Sequence, residues 1–337
     1  MKEKFQTGKL NPALLKRLLK KCQGKKDKRV IVGPKIGEDA TIIDFSDRYL
    51  VVKTDPITYT SSNIGYFVPI INANDVACRG ARPRWFLATI LLPERKTDSE
   101  LVEEIFKDID RACKGLDVSV VGGHTEITPG ISNPIVVGTM IGEVEKEKLI
   151  TTSQARVGDL ILLVKPVAIE GTAIIAREKE KELRKRGYKD NFIKRAQNLI
   201  FNPGISVVKE ALLASKFDVH AMHDITEGGI LGALWELSFA SKCGMIVFED
   251  KIPILKGCKI LCQEFNLDPL KLIGSGSFIL TASEKEALKV IKLFTKEKIE
   301  CAVIGEIQEK SFGLKIKRGN KILKFSYPKR DEITKIF

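Results

Sequence analysis

The chain has 337 residues, 44% of them hydrophobic and 29% charged, and its 56 lysines and arginines against 43 aspartates and glutamates give a net charge of +13. That length exceeds one ordinary hydrophobic core and predicts two domains, and the composition excludes a disordered or low-complexity chain. No apolar run approaches the ~20 residues of a membrane helix, and the opening MKEKFQTGKL lacks an apolar signal core, so a cytoplasmic protein without membrane attachment is expected.

The first element is a short amphipathic helix in LNPALLKRLLKKC, with Leu14, Leu15, Leu18 and Leu19 on one face and Pro12 in its first turn. Three β-rich runs follow, RVIVGP, ATIIDF and YLVVKTD, broken by Gly, Asp and Pro. A helix is predicted from about Tyr66 to Cys78, then the strand WFLATILL, the amphipathic helix DSELVEEIFKDIDRACKGL, and the strands VSVVGG and PIVVGTMIGEV. The polar TTSQAR leads into a fresh strand at Asp159 to Lys165, which divides the chain into an N-terminal domain, 1–154, and a C-terminal domain, 155–337. Helices and strands alternate again from GTAIIAREKEKELRKR to CAVIGEI, and GLKIKRG and KILKFSY form a hairpin turned at Gly319 and Asn320. Both halves are therefore α/β.

Seven cysteines show no CxxC, and the nearest pair, Cys258 and Cys262, is spaced for helical packing, so reduced thiols are expected and not a zinc site. Two of the three lysine-rich runs interleave acids or fall at helical spacing, which suits a solvated face; nucleic acid is not expected without interleaved aromatics, and an anionic small substrate would also suit the charge.

Acids and glycines recur together at five predicted loops. GPKIGEDAT sets Gly37, Glu38 and Asp39 beside Lys35; KTDPIT delivers Asp55, with Pro56 stopping the ladder; NANDVACRGARP carries Asn72, Asn74 and Asp75. VVGGHTEIT places Gly122 and Gly123 before His124, Thr125 and Glu126, and MHDITEGG sets His223, Asp224 and Thr226 before Gly228 and Gly229 at the mouth of a helix. Each alone is an ordinary turn or N-cap. Together they have an electrostatic logic: backbone N–H groups freed by glycine hold a phosphate, and nearby carboxylates face that phosphate only through a cation. Magnesium, which takes a few hard oxygens and shares the rest of its shell with phosphates and water, fits scattered single aspartates.

In this order GEDA, TDP, NANDVACRGARP, GGHTE, GDLILL and HDITEGGILGAL resemble the superfamily of aminoimidazole ribonucleotide synthetase (PurM) and the hydrogenase maturation protein HypE, and are most similar to HypE-like members. The resemblance covers nearly the whole chain. It implies an N-terminal domain that forms a β-barrel across a homodimer, a C-terminal α/β domain, and ATP with Mg²⁺ in the cleft. It assigns Asp39, Asp55, Asp75 and Asp224 as metal or phosphate-side ligands, and places Asn74, Lys35, Gly37, Gly122, Gly123, Thr125, Thr226, Gly228 and Gly229 toward the nucleotide. Glu38, His124, Glu126 and His223 are additional candidates. The implied chemistry is phosphorylation of an amide- or carbamoyl-type oxygen, on an unknown small-molecule or carbamoyl acceptor. Other members are small-molecule kinases and cyclo-ligases, and a nucleotide-holding assembly protein with a maturation partner is a further alternative. HypE carries its acceptor cysteine at its C-terminus; here the sequence ends PKRDEITKIF and Cys301 lies in a predicted strand, so modification of its own tail is not expected.

Overall fold

The computed structural model describes residues 7–22 and 24–337. These fall into two compact units: one comprises Lys28–Gly33 and Ala40–Leu149, the other the described part of Met1–Asp27, Pro34–Asp39 and Ile150–Phe337. The helix α1 (Pro12–Lys21) and the 34–39 segment thus group with the C-terminal half.

In the first unit β1 (Val30–Val32), β2 (Thr41–Phe45) and β3 (Arg48–Ile57) precede α2 (Ile64–Ala77), β4 (Arg82–Pro93), α3 (Ser99–Leu116), β5 (Ser119–Thr128) and β6 (Ile135–Glu145). They build a six-stranded sheet in the order β1-β2-β3-β6-β4-β5, antiparallel except between β4 and β5. α2 is apolar around almost its whole circumference and is buried nearly end to end, which is the burial such a helix requires. It lies close to the sheet because β6 supplies glycine where it crosses: a Cβ on Gly138 would stand 2.6 Å from Asn72 Nδ2, and one on Gly142 2.4 Å from Val76 Cγ1.

Asn72, Asn74 and Asp75 lie in the last turns of α2, inside the helix expected from about Tyr66 to Cys78, although the sequence also groups them with the loops. Two further sequence expectations change here. Pro56 does not stop the ladder, since the register with β6 continues through Pro56↔Val137 and Ile57↔Val136; proline costs the sheet an N–H donor but leaves its carbonyl and its Cα position in the strand. The GGHTE segment is strand and not turn, with Gly122, Gly123, His124, Thr125 and Glu126 paired to Leu87 through Leu91. Gly123 permits this, because its φ is +154° and a Cβ there would lie 2.1 Å from the carbonyl oxygen of Ala88. Within one chain the sheet is open: β1 and β5 are its edges, and nine of the ten residues of β5 are exposed.

The second unit continues with β7 (Leu160–Val164), α4 (Ile169–Glu178), α5 (Glu180–Lys185), α6 (Asp190–Gln197), α7 (Val208–Ala214), β8 (Val219–Asp224), α8 (Gly229–Ser241) and β9 (Gly244–Phe248). After these come α9 (Lys256–Glu264), β10 (Phe278–Ala282), α10 (Glu284–Lys296), β11 (Cys301–Gln308), β12 (Leu314–Arg318) and β13 (Lys321–Lys324). Its seven strands are ordered β13-β12-β9-β11-β7-β10-β8, with β9 and β12 parallel. Ile161, Leu163, Ile230, Leu234, Leu237, Met245 and Ile279 form one core between the sheet and α8. β8 is an edge strand whose six residues are all buried, so its polar end, His223 and Asp224, is held in the interior.

Candidate functional site

In the second unit the site is assembled by one glycine, one strand end and one helix. Gly37 has a φ of +83°, and a Cβ there would stand 2.7 Å from the Glu236 carbonyl oxygen and 3.2 Å from the Ala240 Cβ. Only glycine lets the 34–39 loop lie on α8, and that contact carries Asp39 to the end of β8. The oxygens of Asp39 and Asp224 and a ring nitrogen of His223 all lie within 4.8 Å of one another.

His223 bridges two carboxylates: Nδ1 meets Asp39 Oδ2 in a very short contact, and Nε2 lies 3.0 Å from Glu236 Oε2. Burial opposes a charge on the ring, but Asp39 and Glu236 together outweigh it and raise the pKa to about 10. Glu236 is held below the usual carboxylate range; burial pushes it up, and Lys9 and His223 more than reverse this. Lys9 adds its ammonium 3.2 Å from Glu236 Oε1, and its backbone N–H donates to Glu227 Oε1 at 3.0 Å. A chain of alternating charge therefore runs Lys9–Glu236–His223–Asp39. The flanking carboxylates favour the charged ring of His223, and the oxygens of Asp39 and Asp224 are the donor type magnesium prefers. Glu38 turns aside, its Oε2 accepting from the Thr152 N–H at 3.3 Å.

The glycine turn ahead of α8 is filled by the chain itself. Gly228, with φ +90° at the N-cap, donates its N–H to Asp331 Oδ2 at 2.6 Å. Asp331 Oδ1 accepts from Ile273 at 3.1 Å and Ile333 at 2.8 Å. Burial raises this carboxyl to about 6 against the pull of those N–H bonds. The Gly229 N–H goes to the Thr226 carbonyl at 3.0 Å. Beside the turn, Glu170 Oε2 accepts from the Ser275 N–H at 3.0 Å; burial, with Asp331 and Asp224 nearby, raises its carboxyl to about 7. Lys35 stands at the opposite end of its loop from Asp39, on the wall of a cleft.

In the first unit Lys53 Nζ lies 3.0 Å from Asp55 Oδ2 and 3.2 Å from Asp75 Oδ1. α2 fixes this group through Asn72, whose Oδ1 accepts from the Asp55 N–H at 2.9 Å while Nδ2 donates to the Asp55 carbonyl at 3.3 Å and the Val68 carbonyl at 2.9 Å. The buried amide stands in for a strand edge, which explains an asparagine inside an apolar helix. Asn74 is buried one position from Asp75. On exposed β5, His124 Nε2 lies 3.2 Å from Glu126 Oε2, and Thr128 donates to Glu126 Oε1 at 2.9 Å, a row on one face of the strand.

Sequence reasoning missed Lys53, Glu170, Glu236 and Asp331. For two of them a signal was present: Glu170 in VAIEGTAII and Glu236 in GALWELSFA are single acids inside apolar helical runs, where a buried charge needs a partner.

Two mixed sheets in tandem, each with helices against it, and aspartates set at a glycine loop and a strand end define a two-domain α/β protein of the PurM-like class. The family models for AIR synthase related protein match in both halves, the N-terminal domain over residues 37–144 and the C-terminal domain over 156–317. The chain belongs to the AIR synthase-related family, and its relatives include HypE-like proteins. A Methanocaldococcus jannaschii protein named for hydrogenase expression/formation is 27% identical over 76% of this chain and 74% of its own length. Carbamoyl dehydratase HypE of Bradyrhizobium diazoefficiens is 25% identical over 80% of this chain and 78% of its own length. Among solved structures, a HypE–HypF complex matches with a TM-score of 0.75 and 19% identity over 94% of this chain and 100% of the other. HypE in complex with ATP matches with a TM-score of 0.68 and 21% identity over 95% and 96%. Among the described residues no helix is long and apolar enough to cross a membrane.

Proposed function

We propose that the protein is a Mg-ATP-dependent enzyme of the HypE kind that phosphorylates an amide- or carbamoyl-type oxygen and so makes phosphate its leaving group. The observation that supports this most directly is the convergence of Asp39 and Asp224, carboxylates from a distant loop and strand end, within 4.8 Å. Carboxylates that close repel one another; His223 offsets part of that beside Asp39, and magnesium, when bound, would supply further positive charge and neutralise phosphate oxygens. The chain's own part is to hold those oxygens through Gly37 and the buried end of β8, and to keep a fixed cation, His223, behind Asp39. Asp55 and Asp75 are proposed as further metal or phosphate-side ligands, with Lys53 between them in the ion's absence. Asn74, Gly122, Gly123, Thr125 and Thr226 are proposed toward the nucleotide, and the domain boundary is proposed near 154.

The test is nucleotide-dependent stability followed by turnover. Mg-ATP at 100 times its dissociation constant should stabilise the protein by about 2.7 kcal/mol, Asp224→Asn should abolish most of that gain, and phosphate release should depend on a carbamoyl acceptor. An equal melting shift in wild type and variant removes Asp224 from the site. A second reading, a nucleotide-holding assembly protein with a HypF-like maturation partner, draws support from the Gly228 N–H already satisfied by Asp331; it predicts binding without phosphate release. We also propose a homodimer, because β5 is a long exposed edge carrying Val120, Val121 and Ile127 and such edges are normally covered. Sedimentation at micromolar concentration should give two chains per particle, and a stable monomer refutes it.

A further inference from the structure

A cleft of about 610 Å³ in the second unit lies between α1, the 34–38 loop and the last turn of α8. Four lysines line it, Lys16 and Lys20 from α1, Lys35 from the loop and Lys242 from the end of α8, against one acid, Glu38. Among the described residues none of the four ammonium groups makes an ion pair, and the one partner among them is the Phe239 ring beneath Lys16. Glu38 spends one oxygen on the Thr152 N–H. The lining therefore carries a surplus of three positive charges, four minus one, gathered on one concavity from three separate segments. Four like charges sharing a cleft repel one another, and nothing in the fold requires them there, since all four side chains are at exposed positions.

One wall is apolar and aromatic. The Phe239 ring is 38% exposed; the Lys16 ammonium stands 5.3 Å from its centroid; and its other contact is a stack on Trp235, centroids 4.9 Å apart at an interplanar angle of 17°. A concave surface with clustered cations and a partly exposed aromatic ring matches a ligand that has several negative charges at one end and a less polar body at the other. We propose that this cleft binds a phosphorylated small molecule, with Lys16, Lys20, Lys35 and Lys242 receiving the phosphate oxygens and Phe239 contacting the body. The phosphate belongs either to a nucleotide or to a separate phosphorylated metabolite. The inference does not depend on the enzymatic reading.

The fold supplies its own reporter. The chain has two tryptophans, Trp85 and Trp235, so a Trp85→Phe protein fluoresces from Trp235 alone, stacked on the ring at the cleft. Inorganic pyrophosphate, without magnesium, is expected to change that emission saturably and to give the same dissociation constant by calorimetry. Lys16→Glu/Lys242→Glu should weaken binding at least tenfold, whereas Asp224→Asn should leave it unchanged. Magnesium-free ATP and ribose 5-phosphate are then compared with pyrophosphate: tighter binding of either supports the site and identifies the phosphate as that of a nucleotide or of another phosphorylated molecule. No saturable response, or equal affinity in the charge-reversed protein, overturns the proposal. Loss of Mg-ATP stabilisation with pyrophosphate binding retained sinks only the enzymatic reading.

Discussion

The charge on His223 can be tested by pH alone. Its pKa is raised from 6.5 to about 10 in the folded protein, so the folded state binds a proton more tightly than the unfolded chain does. The stabilisation is therefore complete below pH 6.5 and is lost as pH rises through about 10. At about 1.4 kcal/mol per pH unit, the interval amounts to about 5 kcal/mol, with a slope no steeper than one proton allows. His223→Gln keeps a hydrogen-bonding side chain but removes the charge, and leaves the carboxylates of Asp39 and Glu236 facing each other. Urea melts of both proteins at pH 6, 7, 8, 9 and 10 should show a stability gap that is widest at pH 6 and closes toward pH 10. Cysteines and lysines titrate in both proteins and cancel in the difference. With only three histidines in the chain, nitrogen-15 spectra assigned to His223 should show its ring as an imidazolium at pH 8. A gap independent of pH, or a neutral His223 ring at pH 8, would refute the charged chain from Lys9 to Asp39.

Removing the Asp331 carboxylate by Asp331→Ala leaves three buried N–H groups without their acceptor, each worth about 1–3 kcal/mol; faster amide exchange at Gly228 and Ile273 is expected, and unchanged rates would show that the turn is held otherwise. Lys53→Met strips the ammonium from Asp55 and Asp75 and should lower stability by about 2 kcal/mol or more, part of which millimolar Mg²⁺ recovers in thermal melts; no recovery argues against a cation site there. Gly37→Ala puts a Cβ 2.7 Å from the Glu236 carbonyl at a φ of +83°, at a cost of about 1–3 kcal/mol, and should also reduce the Mg-ATP melting shift. Cys301 is expected to stay unmodified with carbamoyl phosphate and a HypF-type donor, since burial pushes its thiol up to about 12 and it opens a strand paired at Val164; a carbamoyl adduct by mass spectrometry would contradict this.

Much of the architecture was legible because it follows local rules. The amphipathic period of α3, the apolar runs of β7 and β10, and the hairpin at Gly319 are each determined by residues within a few positions of one another. Asp39 and Asp224 could be picked out as candidates for a similar reason, because glycines stand within a few positions of each. Local signals misled where a distant partner decided the outcome. GGHTE contains two glycines and reads as a turn, yet β4 pairs with it as strand; Pro56 reads as the end of its strand, yet β6 pairs on past it.

By itself the sequence determined the alternation of elements and the two-domain α/β class, since periodicity and turn chemistry are short-range properties. Which charges meet was decided only by the tertiary structure. Lys53 sits between Asp55 and Asp75 because α2 crosses β3, and Glu236 reaches His223 because α8 packs beside β8. Asp331 caps Gly228 across 103 positions of chain. A Coulomb interaction depends on distance in space, and no spacing along the sequence encodes it.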